Sequence, residues 1–189
     1  MSAAGDPGRP GGLRRFRTGD PVSLAIGLWP VLEALHHRPD DVEHVAWHPD
    51  LAPAVRARLL AAARAASVPA DEDAATVARA RRAGTALVVA HVRRPDDVLD
   101  DDRDHVVLLQ PAHAGNVGAA LRTALGFGLR DMALVGGRVD PWSPHVLRAS
   151  QGAAFAVRHR AWGTWAGYRA AHPRHAVVAV TTPAPDAVP

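Results

Sequence analysis

Residues 106–109 are continuously apolar, and they lead through a loop containing Pro and Gly into a longer amphipathic stretch. Residues 110–129 read QPAHAGNVGAALRTALGFGL. A short apolar run followed at once by helical periodicity commits this part of the chain to a strand–loop–helix unit. The pattern repeats downstream. Strands are expected at 105–109 and 131–135, a short helix from Pro144 to about Ser150, a short strand at 155–157, a helix at 164–171 and a last strand at 176–181. Strands alternating with helices argue for an α/β fold with a parallel sheet covered on both faces.

The first junction is chemically the richest. Asn116 suits the N-cap of its helix, where the side chain would accept a first-turn backbone N–H. Gly115 and Gly118 would keep that turn free of side chains, so that a ligand could approach the backbone. Free N–H groups and the helix dipole favour an anion there. Val117, Leu121, Ala124 and Leu125 form the apolar stripe. Arg122 falls at its edge and could lean back toward the helix start. His113, in the preceding loop, could touch the same ligand. Taken alone, the pattern more readily describes an ordinary capped helix with a surface arginine.

Composition removes several classes of function. The chain has 189 residues and 48% hydrophobic content, the profile of a folded protein with one ordinary domain or two small ones. No apolar run approaches the ~20 residues of a membrane span. Cysteine is absent, which excludes disulfides, thiolate zinc sites and thiol catalysis and fits a cytoplasmic protein. All 22 basic residues are arginine, which reads as the coding bias of a GC-rich genome. The net charge of +3 permits RNA binding without demanding it. The 11 histidines suggest no metal. His172 and His175 share no helical face with a carboxylate, His36 and His37 are adjacent, and His159, between Arg158 and Arg160, reads as a surface residue.

The chain divides into four parts. Residues 1–21 are a Gly-, Pro- and Arg-rich arm without periodicity, expected to be disordered; Arg14, Arg15 and Arg17 could meet phosphates or simply be solvated. Residues 22–94 form a small α/β unit. In it a helix has Pro30 in its first turn and ends near His37, and a strand covers 42–47. Helices follow at 52–66 and about 74–83, and an apolar strand at 86–92. Residues 95–103 lie in an Asp-rich stretch expected to be a linker that repels phosphate. Residues 104–189 are the second α/β unit.

The stretch 110–129 resembles the first signature of the SpoU/TrmH family of RNA ribose 2′-O-methyltransferases, in the SPOUT superfamily. Residues 140–155, DPWSPHVLRASQGAAF, resemble the family's Asp-x-x-Ser-Pro-x-x-x-Arg-x-Ser-x-Gly-Ala segment. Two ordered matches are far more specific than one. Residues 22–94 are similar, more weakly, to the family's N-terminal RNA substrate-binding domain. The resemblance implies S-adenosylmethionine-dependent methyl transfer to a ribose 2′-hydroxyl of ribosomal or transfer RNA. It assigns Asn116 and Arg122 to the catalytic site. Arg148 would bind RNA phosphate or support Arg122, with a structural arginine bonding helix-end carbonyls as the alternative. Ser143 reads as an N-cap before Pro144, and Ser150 as structural.

Family members continue past the segment matching 176–181 into a Gly-x-Glu-x-x-Gly loop and a last helix. These complete the trefoil knot and the donor pocket. Thr181 and Thr182 would border that pocket. Residues 181–189, TTPAPDAVP, carry none of the later parts. The expectation is therefore a SPOUT domain lacking its knot segment, with an exposed sheet edge and weak or absent donor binding. Complete members are homodimers, and the missing segment usually helps form that interface, which argues against dimerisation of this form. The alternative is a non-catalytic RNA-binding protein derived from a methyltransferase. An unrelated nucleotide-binding enzyme finds no support, because no complete G-x-G-x-x-G or Walker pattern is present.

Overall fold

The structure is a computed structural model that describes residues 17–80 and 85–180. Its first half comprises β1 (Val22–Ile26), α1 (Leu28–His37), a single 3-10 turn (Pro39–Asp41), β2 (Val42–Trp47), α2 (Pro53–Ala65), β3 (Ala70–Glu72), α3 (Ala74–Ala80) and β4 (Val88–Arg93). These strands form a mixed sheet in the order β1-β4-β2-β3. β4 runs antiparallel to both β1 and β2, while β2 and β3 are parallel. Pro30 falls within the first turn of α1, where its N–H would have no intrahelical partner in any case. Val31, Ala34 and Leu35 recur at helical spacing and are buried. β1 (VSLAI) lacks a continuous apolar run like that of residues 106–109, and β3 has only three residues; pairing with β4 and β2 makes them strands.

The second half comprises β5 (His105–Leu109), α4 (Ala114–Gly126), β6 (Asp131–Val135), α5 (Pro144–Ala149), α6 (Ala153–Ala156), β7 (Arg158–Trp162) and α7 (Trp165–Ala171). Its sheet is parallel throughout, in the order β5-β6-β7. Side chains alternate across a strand. Met132 and Leu134 of β6 therefore join the core with α4, α5 and α6, while Ala133 and Val135 cluster with Tyr168 of α7.

The two halves share one core. A continuous cluster runs from Ala25, Val31 and Val92 in the first half to Val117, Leu121, Leu147 and Phe155 in the second. Gly152, at φ +93, turns the chain between α5 and α6. A Cβ there would come within 2.6 Å of the Glu33 Cβ and 3.2 Å of the Pro30 Cα, so a glycine lets this turn close on α1. Polar bonds reinforce the junction. Arg38 pairs with both carboxylate oxygens of Asp97, at 2.8 and 3.1 Å, and donates to the Phe155 carbonyl at 3.0 Å. Arg94 donates to Asp140 at 3.0 Å, and the Ser23 hydroxyl donates to the Trp142 carbonyl.

Several expectations are corrected. The Asp-rich segment is no free spacer: Asp97 and Leu99 are buried, and the Asp100 N–H donates to Asp131 at 3.1 Å. The strand expected at 155–157 is helix α6, with β7 beginning at Arg158. The left-handed turn at Gly152 restarts a helix that drives Phe155 into the core. No regular structure covers 176–180, because that apolar run pairs with no strand among the described residues; Val178 and Val180 are 89% and 97% exposed. Of the arm, residues 17–21 are anchored by a turn, with the Gly19 N–H on Asp140; residues 1–16, including Arg14 and Arg15, lie outside the described residues. Among the described residues no helix is long and apolar enough to cross a membrane.

Candidate functional site

The second sheet places the two matched segments side by side. α4 starts earlier than its sequence suggests, at Ala114, with His113 in the N-cap position. Asn116 is therefore not the cap but the third helical residue, its backbone N–H donating to the His113 carbonyl at 3.1 Å. The His113 side chain makes no capping bond and is exposed, as are Gly115 and Asn116. The N–H groups of Ala114 and Gly115 precede any intrahelical acceptor and emerge at this end of the helix. Gly115 has open space where a Cβ would stand.

Gly118 does something other than open the backbone to a ligand. A Cβ there would lie 2.5 Å from the Ala149 Cβ and 2.7 Å from the Ser150 nitrogen. The missing side chain lets α5 pack directly on α4. One turn further along α4, Arg122 donates from its guanidinium to the carbonyl of Ala149, the last residue of α5. The cation thus meets the partially negative end of α5. It does not lean back to Asn116, which is about 9 Å away along the axis and about 120° round it. The helix-end carbonyl role foreseen for Arg148 is taken by Arg122. Arg148 itself is exposed, in the last turn of α5 beside Ala149.

Two exposed arginines, Arg122 of α4 and Arg148 of α5, thus belong to helices that pack on each other, with His113, Gly115 and Asn116 on the preceding turns of α4. Arginine carries five donors. Arg122 commits one group to Ala149 and is exposed, which leaves donors for an incoming anion. Ser143 caps α5 by accepting the Val146 N–H at 3.4 Å. Ser150 is structural: it is buried, donates to the Leu147 carbonyl and accepts the Ala154 N–H. Thr181 and Thr182 lie outside the described residues.

The histidines depart most from their sequence reading. His159 is 2% exposed, because Arg158 and Arg160 take the outward positions of β7 and turn it inward. Its ring lies 4.4 Å from that of Trp142, and neither ring nitrogen makes a well-formed hydrogen bond among the described residues. Burial pushes its pKa down to about 4, against a smaller opposing pull from Asp97. His105 of β5 meets His172 and His175 beyond α7, so the expectation of no clustered ligand set is also corrected. Local spacing held no signal of it, since His105 is far away in sequence.

A cavity of about 560 Å³ lies elsewhere, between residues 18–21, the Arg94–Asp97 segment, the β6–α5 loop and His159. It is separate from the Arg122 junction.

Residues 104–188 match the model of the SpoU rRNA Methylase family. Mouse mitochondrial rRNA methyltransferase 3 is 51% identical over 43 residues, 23% of this chain and 10% of that protein. An rRNA methyltransferase from Sinorhizobium meliloti superposes with a TM-score of 0.64 at 22% identity, covering 82% of this chain and 59% of that one. The SpoU methyltransferase AviRb from Streptomyces viridochromogenes gives 0.65 at 22% identity, covering 79% and 57%. Both bacterial proteins are also known with AdoMet bound. The chain spans less than two thirds of each of these relatives, and at such identity the structural likeness establishes the fold. Residues 104–188, with their ordered Asn116–Arg122 and Asp140–Phe155 segments on a parallel sheet, thus match the SpoU rRNA Methylase family model over a little under half of the chain.

Proposed function

We propose that the chain takes part in methyl transfer from S-adenosylmethionine to a ribose 2′-hydroxyl of ribosomal RNA. The observation that carries this reading is the α4–α5 junction, where Arg122 and Arg148 stand exposed beside the first turns of α4. A ribose hydroxyl must shed its proton as it attacks. Arginine is a very poor base. Arg122 would therefore bind the adjacent phosphate and stabilise negative charge developing on the ribose oxygen. Its bond to Ala149 fixes the guanidinium in advance, so little reorientation is needed when RNA arrives. Asn116 would orient the ribose, and Arg148 and His113 would hold flanking phosphates.

The donor supplies an electrophilic methyl group when bound. The edge formed by Gln110, Gly136 and Gly163 fits its approach. These residues follow β5, β6 and β7 at their carboxyl ends, where ligands meet open parallel sheets. Gly163 has no atom within 4 Å of an added Cβ. Thr181 and Thr182 are further proposed contacts.

The test is transfer of labelled methyl groups to bulk ribosomal RNA. Arg122→Lys keeps the charge but loses the planar fork, and should cost about a hundredfold in rate. A near-wild-type rate would remove Arg122 from the reaction. Salt-sensitive RNA binding with no transfer by the wild type would instead make the chain an RNA-binding protein.

A further inference from the structure

We infer that His105, His172 and His175 form a binding site for one divalent transition-metal ion of the zinc type, at the amino-terminal edge of the second sheet. One ligand atom from each imidazole lies within 4.8 Å of the others. His105 opens β5, and the other two follow α7, which returns to the same edge.

The hydrogen bonds select the tautomers that such an ion needs. His175 Nε2 lies 2.9 Å from the Arg103 carbonyl. A carbonyl only accepts, so Nε2 carries the proton and Nδ1 keeps its lone pair. That Nδ1 is buried and has no partner among the described residues. His105 Nε2 likewise donates to the Asp100 carbonyl at 3.0 Å, leaving Nδ1 as an acceptor for the Tyr168 hydroxyl at 3.1 Å. His172 Nδ1 bonds the Asp101 carboxylate, leaving Nε2 as its lone-pair nitrogen. Each histidine thus has one nitrogen held by a carbonyl or carboxylate and a lone pair on the other to offer a metal. This is the outer support that metal-binding imidazoles ordinarily have.

The turn bearing two of the ligands is fixed independently. Arg169 donates to the carbonyls of His172, Pro173 and His175, at 3.2, 3.3 and 2.8 Å. Tetrahedral zinc with nitrogen ligands sets them about 3.3 Å apart, and the set of one nitrogen per ring that lies within 4.8 Å would draw in by ~1.5 Å at most. The fourth position would take water, with the Tyr168 hydroxyl turning from His105 toward it. An ion here would tie the Asp100–Arg103 segment, the start of β5 and the turn after α7 together. It would lie at the opposite end of β5 from Gln110, and its role is structural.

The full chain, stripped with a chelator, would be titrated with Co²⁺ and then with Zn²⁺ in competition, near neutral pH. One equivalent of Co²⁺ should bind with the intense visible absorption of tetrahedral coordination and be displaced by Zn²⁺. His175→Ala, in a segment without regular structure, should weaken binding by at least about a hundredfold, with an unchanged circular dichroism spectrum. Asp101→Asn should keep the one-to-one stoichiometry and weaken binding tenfold to about a hundredfold. His36→Ala should change nothing. No saturable binding at one equivalent, or His175→Ala binding like the wild type, would overturn the site.

Discussion

β4 and β5 look alike in sequence and meet different fates. β4 reads VVAHVR and β5 reads HVVLL. In β4, Val88, Val89, Ala90 and Val92 are all 1% exposed or less. In β5 no residue is buried, and Leu109 is 63% exposed. The reason is position. β4 sits between β1 and β2, with α1 and the shared core on one face and α3 on the other. β5 is an edge strand among the described residues. A continuous apolar run in a parallel sheet suits a strand covered on both faces. Strand hydrophobicity therefore reports the coverage a strand is suited to, while neighbours decide the coverage it has. An apolar edge is also a template for further pairing.

The comparison depends on both sheets belonging to one folding unit, and Arg38 tests that first. Its side chain joins α1 to Asp97, whose carboxylate also accepts the His159 N–H at 2.9 Å. Removing one partner of a buried pair strands the other charge, at a cost of about 3–5 kcal/mol. Arg38→Ala should lower stability by that amount in a single transition seen alike by circular dichroism and by tryptophan fluorescence. Two transitions in denaturant, with only one shifted, would show that the halves melt separately.

His159 offers the next effect, confined to acid. The unfolded chain takes up its proton near pH 6.5, the folded chain only near 4. Between those values the unfolded state binds more protons, so stability rises with pH across the window and is lost as pH falls through it. The full span amounts to about 3 kcal/mol. His159→Leu should flatten this part of the stability profile and leave other groups' contributions in place. An unchanged slope across that window would mean that the second half is loose enough around Trp142 to solvate the ring.

Much of the architecture was legible because it is written locally. Pro30, the spacing of Leu59 and Ala63, and the runs at β5 and β6 each specify an element through their own periodicity. The Arg122 region was legible as a strand–loop–helix junction but not in its geometry. Asn116 loses the cap position because the helix gains two residues before it. Gly118 serves helix packing because α5, distant in sequence, lands on it. His159 and the His105–His172–His175 group escaped for the same reason: their surroundings come from the sheet register and from α7. The strand expected at 176–181 failed, as far as it is described, for want of a neighbour, which no periodicity can supply.

The smallest effect sharpens the comparison most directly. Val89 of β4 is 1% exposed, and Val107, an inner residue of β5, is half-buried against the cluster of Leu99 and Tyr168. Truncating a buried valine loses two methyl groups' transfer energy and leaves a cavity, about 2 kcal/mol in all. Val89→Ala should show that loss in urea denaturation. Val107→Ala should cost no more than about 1 kcal/mol, because water already reaches it. Equal costs would mean that β5 is covered in solution. The covering element would then be the 176–180 run or a second copy of the chain, and dependence of the Val107→Ala loss on protein concentration separates them, since only the second copy obeys mass action.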